Sequence, residues 1–146
     1  MTTDLLQRHT VTLESGAAAS QEASAWARPL AERAGLDEDK TYALDLCIVE
    51  MVTNIVEHSY RGRPGEIRLD LDVGRNGAVV TIADAGPAFD PLSLPPPAKP
   101  KSVEDARIGG FGIHLVRSMS NGCRYERADG RNVFTAYFGA TAPREG

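Results

Sequence analysis

The spacing of apolar side chains changes in the first half of the chain, and this change limits the possible folds most. From about Glu38 to Ser59 apolar residues recur every three or four positions, which predicts an amphipathic helix with Asp37 as its N-cap. After the stretch RGRPGE, apolar and charged residues alternate over residues 67–73, which predicts a strand with one buried face. A one-sided helix and a one-sided strand predict a helix layer packed on a sheet.

The other segments fit the same arrangement. They predict an edge strand over 9–13, a helix over 20–34 that Pro29 bends or interrupts, a central strand over 78–83, a long loop over 84–110, a short helix in FGIHLVRSMS and a hairpin that turns at Asp129-Gly130. The expected fold class is α+β, a two-layer sandwich in which helices cover one face of a mixed β-sheet. We expect a single domain over residues 1–146.

Composition excludes several classes of protein. With 42% apolar and 25% charged residues among 146, the chain is expected to be globular, and a net charge of −4 argues against nucleic-acid binding. No apolar run is long enough to span a membrane, and the first residues lack the pattern of a signal peptide. The two cysteines, Cys47 and Cys123, are expected to be reduced thiols in a cytoplasmic protein, and the histidines show no metal-ligand spacing.

Polar residues interrupt the apolar pattern of the long helix. At 100° per residue, Glu50, Asn54 and Glu57 fall within about 60° of one another, and His58 lies about 80° from Glu50. The opposite side carries apolar residues and is expected to enter the core: Leu44, Ile48, Val52 and Ile55. A solvated face is the usual explanation of such a stripe, and a ligand site is the alternative.

Two later segments bear on this choice. Asp84 and Gly86 directly follow an apolar strand, where a carboxylate is well placed to contact a ligand, although an ordinary turn also explains them. Gly109, Gly110 and Gly112 precede the short helix, and a glycine-rich helix start offers free N–H groups to an anion. Each signal is weak when it stands alone.

Together the three segments resemble one family. EMVTNIVEH, DAGPAFDP and GGFGIHLV, in this order, resemble the N, G1 and G2 boxes of the GHKL (Bergerat) ATP-binding fold, the histidine kinase-like ATPase domain. The FDP after the second box and the ending CRYERADGRNVFTAYF resemble the anti-sigma-factor serine kinases within that fold. The resemblance covers about residues 9–138 and implies ATP and Mg²⁺ as ligands.

The resemblance also implies roles for individual residues. Asn54 would be the Mg²⁺ ligand, and Glu50 the base that deprotonates a serine hydroxyl or a water. Asp84 would bind the adenine amino group, and Gly86 would let the adenine approach the backbone. His58 would line the phosphate end of the site, with a purely structural histidine as the alternative.

The glycine-rich segment and the loop before it would form the phosphate end of the site. Gly110 and Gly112 would offer their amides to the phosphates. The ATP lid would span about residues 92–110, with Arg107, Lys99 or Lys101 as the cation beside the γ-phosphate. Ala88 departs from a common form of the G1 box, which has glycine there, and would cost about 1 kcal/mol if that position needed positive φ.

The function implied by the resemblance is that of an ATP-dependent serine/threonine-protein kinase and anti-sigma-type regulator. Its substrate would be a small STAS-type anti-sigma-factor antagonist in a partner-switching pathway. A sigma factor or another regulator is a possible second partner, and a homodimer is expected. The alternative is a nucleotide-gated module that sequesters a regulator without phosphotransfer. A third hypothesis is an α+β protein that binds no nucleotide.

Overall fold

The computed structural model describes residues 6–93 and 112–139, so most of the expected lid, including Arg107 and Gly110, lies outside the described residues. The strands are β1 (Gln7–Glu14), β2 (Glu66–Val73), β3 (Ala78–Asp84), β4 (Gly122–Ala128) and β5 (Arg131–Phe138). The helices are α1 (Ala19–Arg33), α2 (Glu38–Asn54) and α3 (Gly112–Met119), with a π-helical turn over Ile55–Ser59 and a 3₁₀ turn over Pro91–Ser93. The order of elements agrees with the sequence prediction.

The five described strands form one sheet in the order β1-β2-β3-β5-β4. All four neighbouring pairs are antiparallel, so our prediction of a mixed sheet is wrong in this detail. Tight turns at residues 74–77 and 129–130 reverse the chain between sequential strands, and the two hairpins then pair through β3 and β5. The α+β class and the two layers are confirmed.

The core lies between the sheet and α2. The side of α2 that was expected to be apolar is buried at Leu44, Ile48, Val52 and Ile55. Helix α1 packs beside α2 through four buried alanines spaced one turn apart: Ala19, Ala23, Ala27 and Ala31. Their small side chains let the two helices approach closely, and α1 continues through Pro29 without interruption.

The end of α2 departs from a regular helix. After Asn54 the chain makes one π-helical turn, and the Tyr60 N–H donates to the Ile55 carbonyl at 2.8 Å. The sequence predicted one continuous helix to Ser59, but the wider π turn shifts the angular phase of the residues that follow. Glu57 and His58 consequently lie exposed, while Glu50 and Asn54 are half-buried.

Two properties of the described residues bear on the sequence-based expectations. No described helix is long and apolar enough to cross a membrane. Cys47 and Cys123 are both free thiols, Cys47 in the core and Cys123 half-buried on β4, as expected for reduced cysteines.

Candidate functional site

Asp84 is a buried carboxylate at the end of β3, with only 3% of its surface exposed. Three donors converge on its Oδ1 atom: the Ser59 hydroxyl at 2.5 Å, the Gly86 N–H at 2.9 Å and the Asn132 amide at 3.0 Å. No described residue donates to Oδ2. The three bonds fix the carboxylate through one oxygen and leave the other available to a ligand.

A cavity opens beside Asp84 between α2 and the sheet. Its lining is Met51, Asn54 and Ile55 from α2, Ile82 and Asp84 from β3, Phe89 and Pro91 from the following loop, and Tyr125, Asn132 and Phe134 from the last hairpin. Apolar and aromatic side chains dominate the lining, and the polar groups are few. A mostly apolar lining with a few polar groups is typical of small-molecule sites.

Asn132 connects the strands around this cavity, and sequence reasoning missed it. Its amide nitrogen donates to Asp84 and to the Pro87 carbonyl at 2.9 Å, and its oxygen accepts from the Phe89 N–H at 3.0 Å and the Tyr125 hydroxyl at 2.5 Å. The available signal was a polar residue at an inward position of an otherwise alternating strand. Its pairing with Asp84 depends on the register of β3 with β5.

Gly86 lies where a side chain would not fit. A Cβ atom at this position would collide with the Ser59 hydroxyl and lie 3.1 Å from Asp84 Oδ1. Its carbonyl accepts from Arg127 Nη1 at 2.7 Å, so both sides of this peptide are tied. Ala88 has no positive φ, so the strain that a positive φ would cause there does not arise.

Glu50 and Gly112 lie in direct contact, although sequence reasoning placed them in separate boxes. A Cβ atom built on Gly112 would lie 2.9 Å from the Glu50 Cδ and closer still to the carboxylate oxygen Oε2. Gly112 is the first residue of α3, so the carboxylate of α2 lies against the start of that helix. The structure thereby joins the predicted base to the glycine-rich segment.

His58 lies at the rim of the cavity. Its ring stacks on Phe89, with centroids 5.7 Å apart and planes inclined by 26°, and its Nε2 lies 3.9 Å from the Glu57 carboxylate. Phe89 in turn lines the cavity. His58 therefore acts on the cavity through Phe89, and Glu57 lies on the solvent side.

The residues present fit a magnesium ion that is carried by a nucleotide. The described residues contain no cluster of three or more His, Cys, Asp or Glu side chains that could hold a metal. Asn54 is half-buried, lines the cavity and makes no side-chain hydrogen bond with a described residue. Mg²⁺ prefers oxygen ligands, keeps several waters and is often held by one or two protein groups together with substrate phosphates.

Comparison with known proteins identifies the family. Residues 12–138 match the histidine kinase-like ATPase domain. The chain belongs to this family. The resemblance inferred from the three boxes is therefore confirmed.

Relatives within the family are protein kinases by name. The chain is 34% identical over 127 residues to the serine/threonine-protein kinase BtrW of Bordetella bronchiseptica, which covers 86% of this chain and 89% of that protein. It is 29% identical to the serine-protein kinase RsbW of Listeria innocua, over 71% of this chain and 69% of that protein. These relatives place this histidine kinase-like domain among the serine/threonine-protein kinases.

A solved structure confirms the fold. The RsbU and RsbW domains of a Mycobacterium tuberculosis protein match 90% of this chain with a TM-score of 0.61 at 17% identity. The match covers 32% of the Mycobacterium tuberculosis chain, so this chain spans about a third of its length.

Proposed function

We propose that the protein is an ATP-dependent serine/threonine kinase that phosphorylates a small STAS-type anti-sigma-factor antagonist. The observation that carries the proposal is the convergence of three groups from separate segments. Asn54 and Asp84 line one cavity, and Glu50 lies one helical turn before Asn54, against the start of α3. This convergence makes the solvated-face explanation of the polar stripe inadequate for Glu50 and Asn54.

Asp84 would select adenine. Its Oδ2 atom, to which no described residue donates, would accept a hydrogen bond from the exocyclic amine, while Oδ1 stays fixed by its three donors. Gly86 would let the ring approach the backbone. His58 would support the site by holding Phe89 against the cavity.

The phosphates would lie between α2 and α3. A bound Mg²⁺ would neutralise charge on the β- and γ-phosphates and would be held by the Asn54 amide oxygen. Gly112 would offer the N–H groups of a helix start to the phosphates. Arg107 and Gly110 remain proposals for the same end of the site.

Glu50 would serve as the base for transfer. Its carboxylate takes the proton of the attacking serine hydroxyl, the serine oxygen forms a bond to the γ-phosphorus, and the bond to the bridging oxygen of ADP breaks. The carboxylate becomes a carboxylic acid, and ADP leaves with the electron pair of the broken bond. The position of Glu50 one turn from Asn54, about 6 Å along the helix, suits a base that faces a metal-bound phosphate.

The biological setting follows the relatives. We propose a partner-switching pathway in the cytoplasm, a homodimeric protein, and a sigma factor or another regulator as the second partner. The names of the relatives support the kinase, and the antagonist substrate is the further step of the proposal.

Two substitutions on α2 test the mechanism. Glu50→Gln keeps the shape and removes the base, so phosphotransfer should fall roughly 10²–10⁴-fold while Mg-ATP still binds. Asn54→Ala should weaken Mg-ATP binding and transfer together. Calorimetry would report binding, and labelled ATP with the antagonist protein would report transfer. Wild-type transfer by Glu50→Gln would remove Glu50 from the mechanism and favour the nucleotide-gated binding module.

A further inference from the structure

A second cavity lies beside the loop that follows β3, here called the G1 loop (residues 85–90), and it shares no lining residue with the cavity beside Asp84. It has a volume of about 370 Å³ and is lined by Ser59, Tyr60, Arg61, Arg63, Pro64, Ala85, Gly86 and Pro87. We call it the arginine cleft, because Arg61 and Arg63 carry its only charged side chains among these lining residues. None of the roles proposed above uses either arginine.

The charge of the cleft is not neutralised within the described residues. Neither Arg61 nor Arg63 forms an ion pair with a described carboxylate, whereas Arg8, Arg28 and Arg68 each pair with an aspartate elsewhere in the fold. The contrast matters because acidic residues outnumber basic ones in the whole chain, 20 against 16. Among the described residues, none of these carboxylates lies within ion-pair distance of Arg61 or Arg63.

One more arginine extends the positive surface from a different element. Arg127 of β4 reaches the G1 loop and donates to the Gly86 carbonyl at 2.7 Å. A helix C-terminus attracts cations and could explain Arg61 and Arg63 alone, but not an arginine from the hairpin.

The backbone at Arg61 is also unusual. Arg61 has φ of 54° and the following Gly62 has φ of 79°, a left-handed pair that ends the π turn. Glycine or asparagine is the usual residue in this conformation, so an arginine there is strained. The Gly62 N–H donates to the Val56 carbonyl at 3.1 Å and holds the turn in place. Strain retained at an exposed charged residue is typical of functional positions.

We propose that the arginine cleft binds an acidic segment of a protein partner, with its carboxylates seated between Arg61 and Arg63. Guanidinium groups pair with carboxylates through two parallel hydrogen bonds, which gives specificity as well as attraction. The cleft and the flanking Arg127 suit several acidic residues rather than one small anion. A nucleic acid is disfavoured by the net charge of −4. This proposal does not rest on the phosphotransfer function.

The cleft and the proposed adenine site share one residue, Gly86. Gly86 lines the cleft, donates its N–H to Asp84 and accepts from Arg127 through its carbonyl. An acidic segment that drew Arg127 toward itself would act on the peptide that helps to fix Asp84. Binding at the two sites should then be coupled, and the coupling must be reciprocal.

Peptide binding tests the proposal without ATP. The probe is a labelled peptide of alternating glutamate and alanine, followed by fluorescence anisotropy at low ionic strength, with a lysine-alanine peptide for comparison. Arg61→Glu combined with Arg63→Glu should weaken acidic-peptide binding on the order of tenfold or more. The matched control, Arg33→Glu with Arg75→Glu, makes the same change in net charge at two exposed arginines elsewhere and should leave binding nearly unchanged. Equal loss in both pairs would overturn the proposal.

A second variant guards against misfolding. Arg61→Gly combined with Arg63→Gln removes both charges while glycine relieves the left-handed strain, so it should fold at least as well as the wild type and still lose the peptide. Retained peptide binding would overturn the proposal. So would displacement of the peptide by pyrophosphate at equal affinity, which indicates a small-anion site, or self-association that both variants abolish, which assigns the cleft to a second copy of this chain.

Discussion

At the scale of single residues, Asp84 divides two tasks between its two oxygen atoms. Oδ1 accepts three hydrogen bonds from the protein, from Ser59, Gly86 and Asn132, while no described residue donates to Oδ2. A buried carboxylate is costly unless its lone pairs are satisfied, so the three donors offset the cost of keeping the charge inside. The structural role of Asp84 and its proposed role in ligand binding can therefore be separated by a substitution that replaces Oδ2 alone.

Asp84→Asn makes that change. The amide oxygen can keep the three protein bonds, while the NH₂ group replaces Oδ2 and presents a donor to the adenine amine. We expect ATP affinity to fall about tenfold to a hundredfold, the value of one charged hydrogen bond of about 1.5–3 kcal/mol. GTP, which offers an oxygen at that edge, should lose less.

The measurement is calorimetric titration of each variant with ATP and with GTP. Asp72→Asn is the control, because Asp72 pairs with Arg8 on the outer side of the sheet. If Asp84→Asn left the ratio of ATP to GTP affinity unchanged, the role given to Oδ2 would be wrong.

The sequence makes some site residues visible and hides others. Asp84 and Asn54 stand out because each is polar within an apolar strand or helix. Asn132 is also polar and is nearly as buried as Asp84, with 5% of its surface exposed, but it faces Asp84 from β5, which is far from β3 in sequence. Its role appears only when Asp84 and Asn132 face each other across β3 and β5, and a period-two pattern does not specify which strands pair.

At the scale of elements, one contact between α2 and α3 is made at a glycine. The Glu50 carboxylate occupies the space where a side chain at Gly112 would lie. The start of α3 carries the positive end of its dipole, which favours a carboxylate there. The small size of Gly112 thus allows the base and the phosphate-binding segment to lie side by side.

Gly112→Ala should displace the Glu50 carboxylate. The new Cβ would lie 2.9 Å from the Glu50 Cδ and 3.3 Å from its Cβ, too close for the present position. We expect a loss of phosphotransfer on the order of tenfold to a hundredfold, because a misplaced base is a poor catalyst, with little change in the unfolding midpoint. Gly16→Ala is the control, since no heavy atom lies within 4 Å of a Cβ there. Kinetics that are equal in the two variants would contradict the assigned contact.

At the scale of the whole molecule, the period change between α2 and β2 was sufficient to predict the layers. It could not predict the strand order β1-β2-β3-β5-β4 or the antiparallel pairing throughout, because both depend on contacts between distant segments. Nor did it predict the π turn after Asn54, which follows from the local geometry at the end of α2. These long-range and local departures shape the arginine cleft and the Asp84 network.

The reactivity of the buried Cys47 thiol reports whether the whole domain is folded. Cys47 is fully buried, so a reagent cannot reach its thiol in the folded protein. Burial, with a further contribution from Cys123, also raises the pKa of this thiol, so little of the reactive thiolate forms. In a Cys123→Ser variant, Cys47 should react with a thiol reagent only through unfolding, on the order of 10³-fold or more slower than an unfolded control. Cys123, tested in Cys47→Ala, is half-buried and should react faster. Rapid labelling of Cys47 in the folded protein would contradict its place in the core.

The position of β1 has a consequence for how the protein reaches this structure. β1 pairs with β2 across 64 positions in sequence at the Arg8–Asp72 contact, while β2 with β3 and β4 with β5 close through short turns. We expect the local hairpins to form early. The pairing of β1 with β2 should form later, because closing the long loop between them costs more chain entropy. Until β1 arrives, β2 is an open edge whose buried face is apolar. During that interval the chain is most exposed to pairing with a second molecule, so its yield on refolding should decline as protein concentration rises.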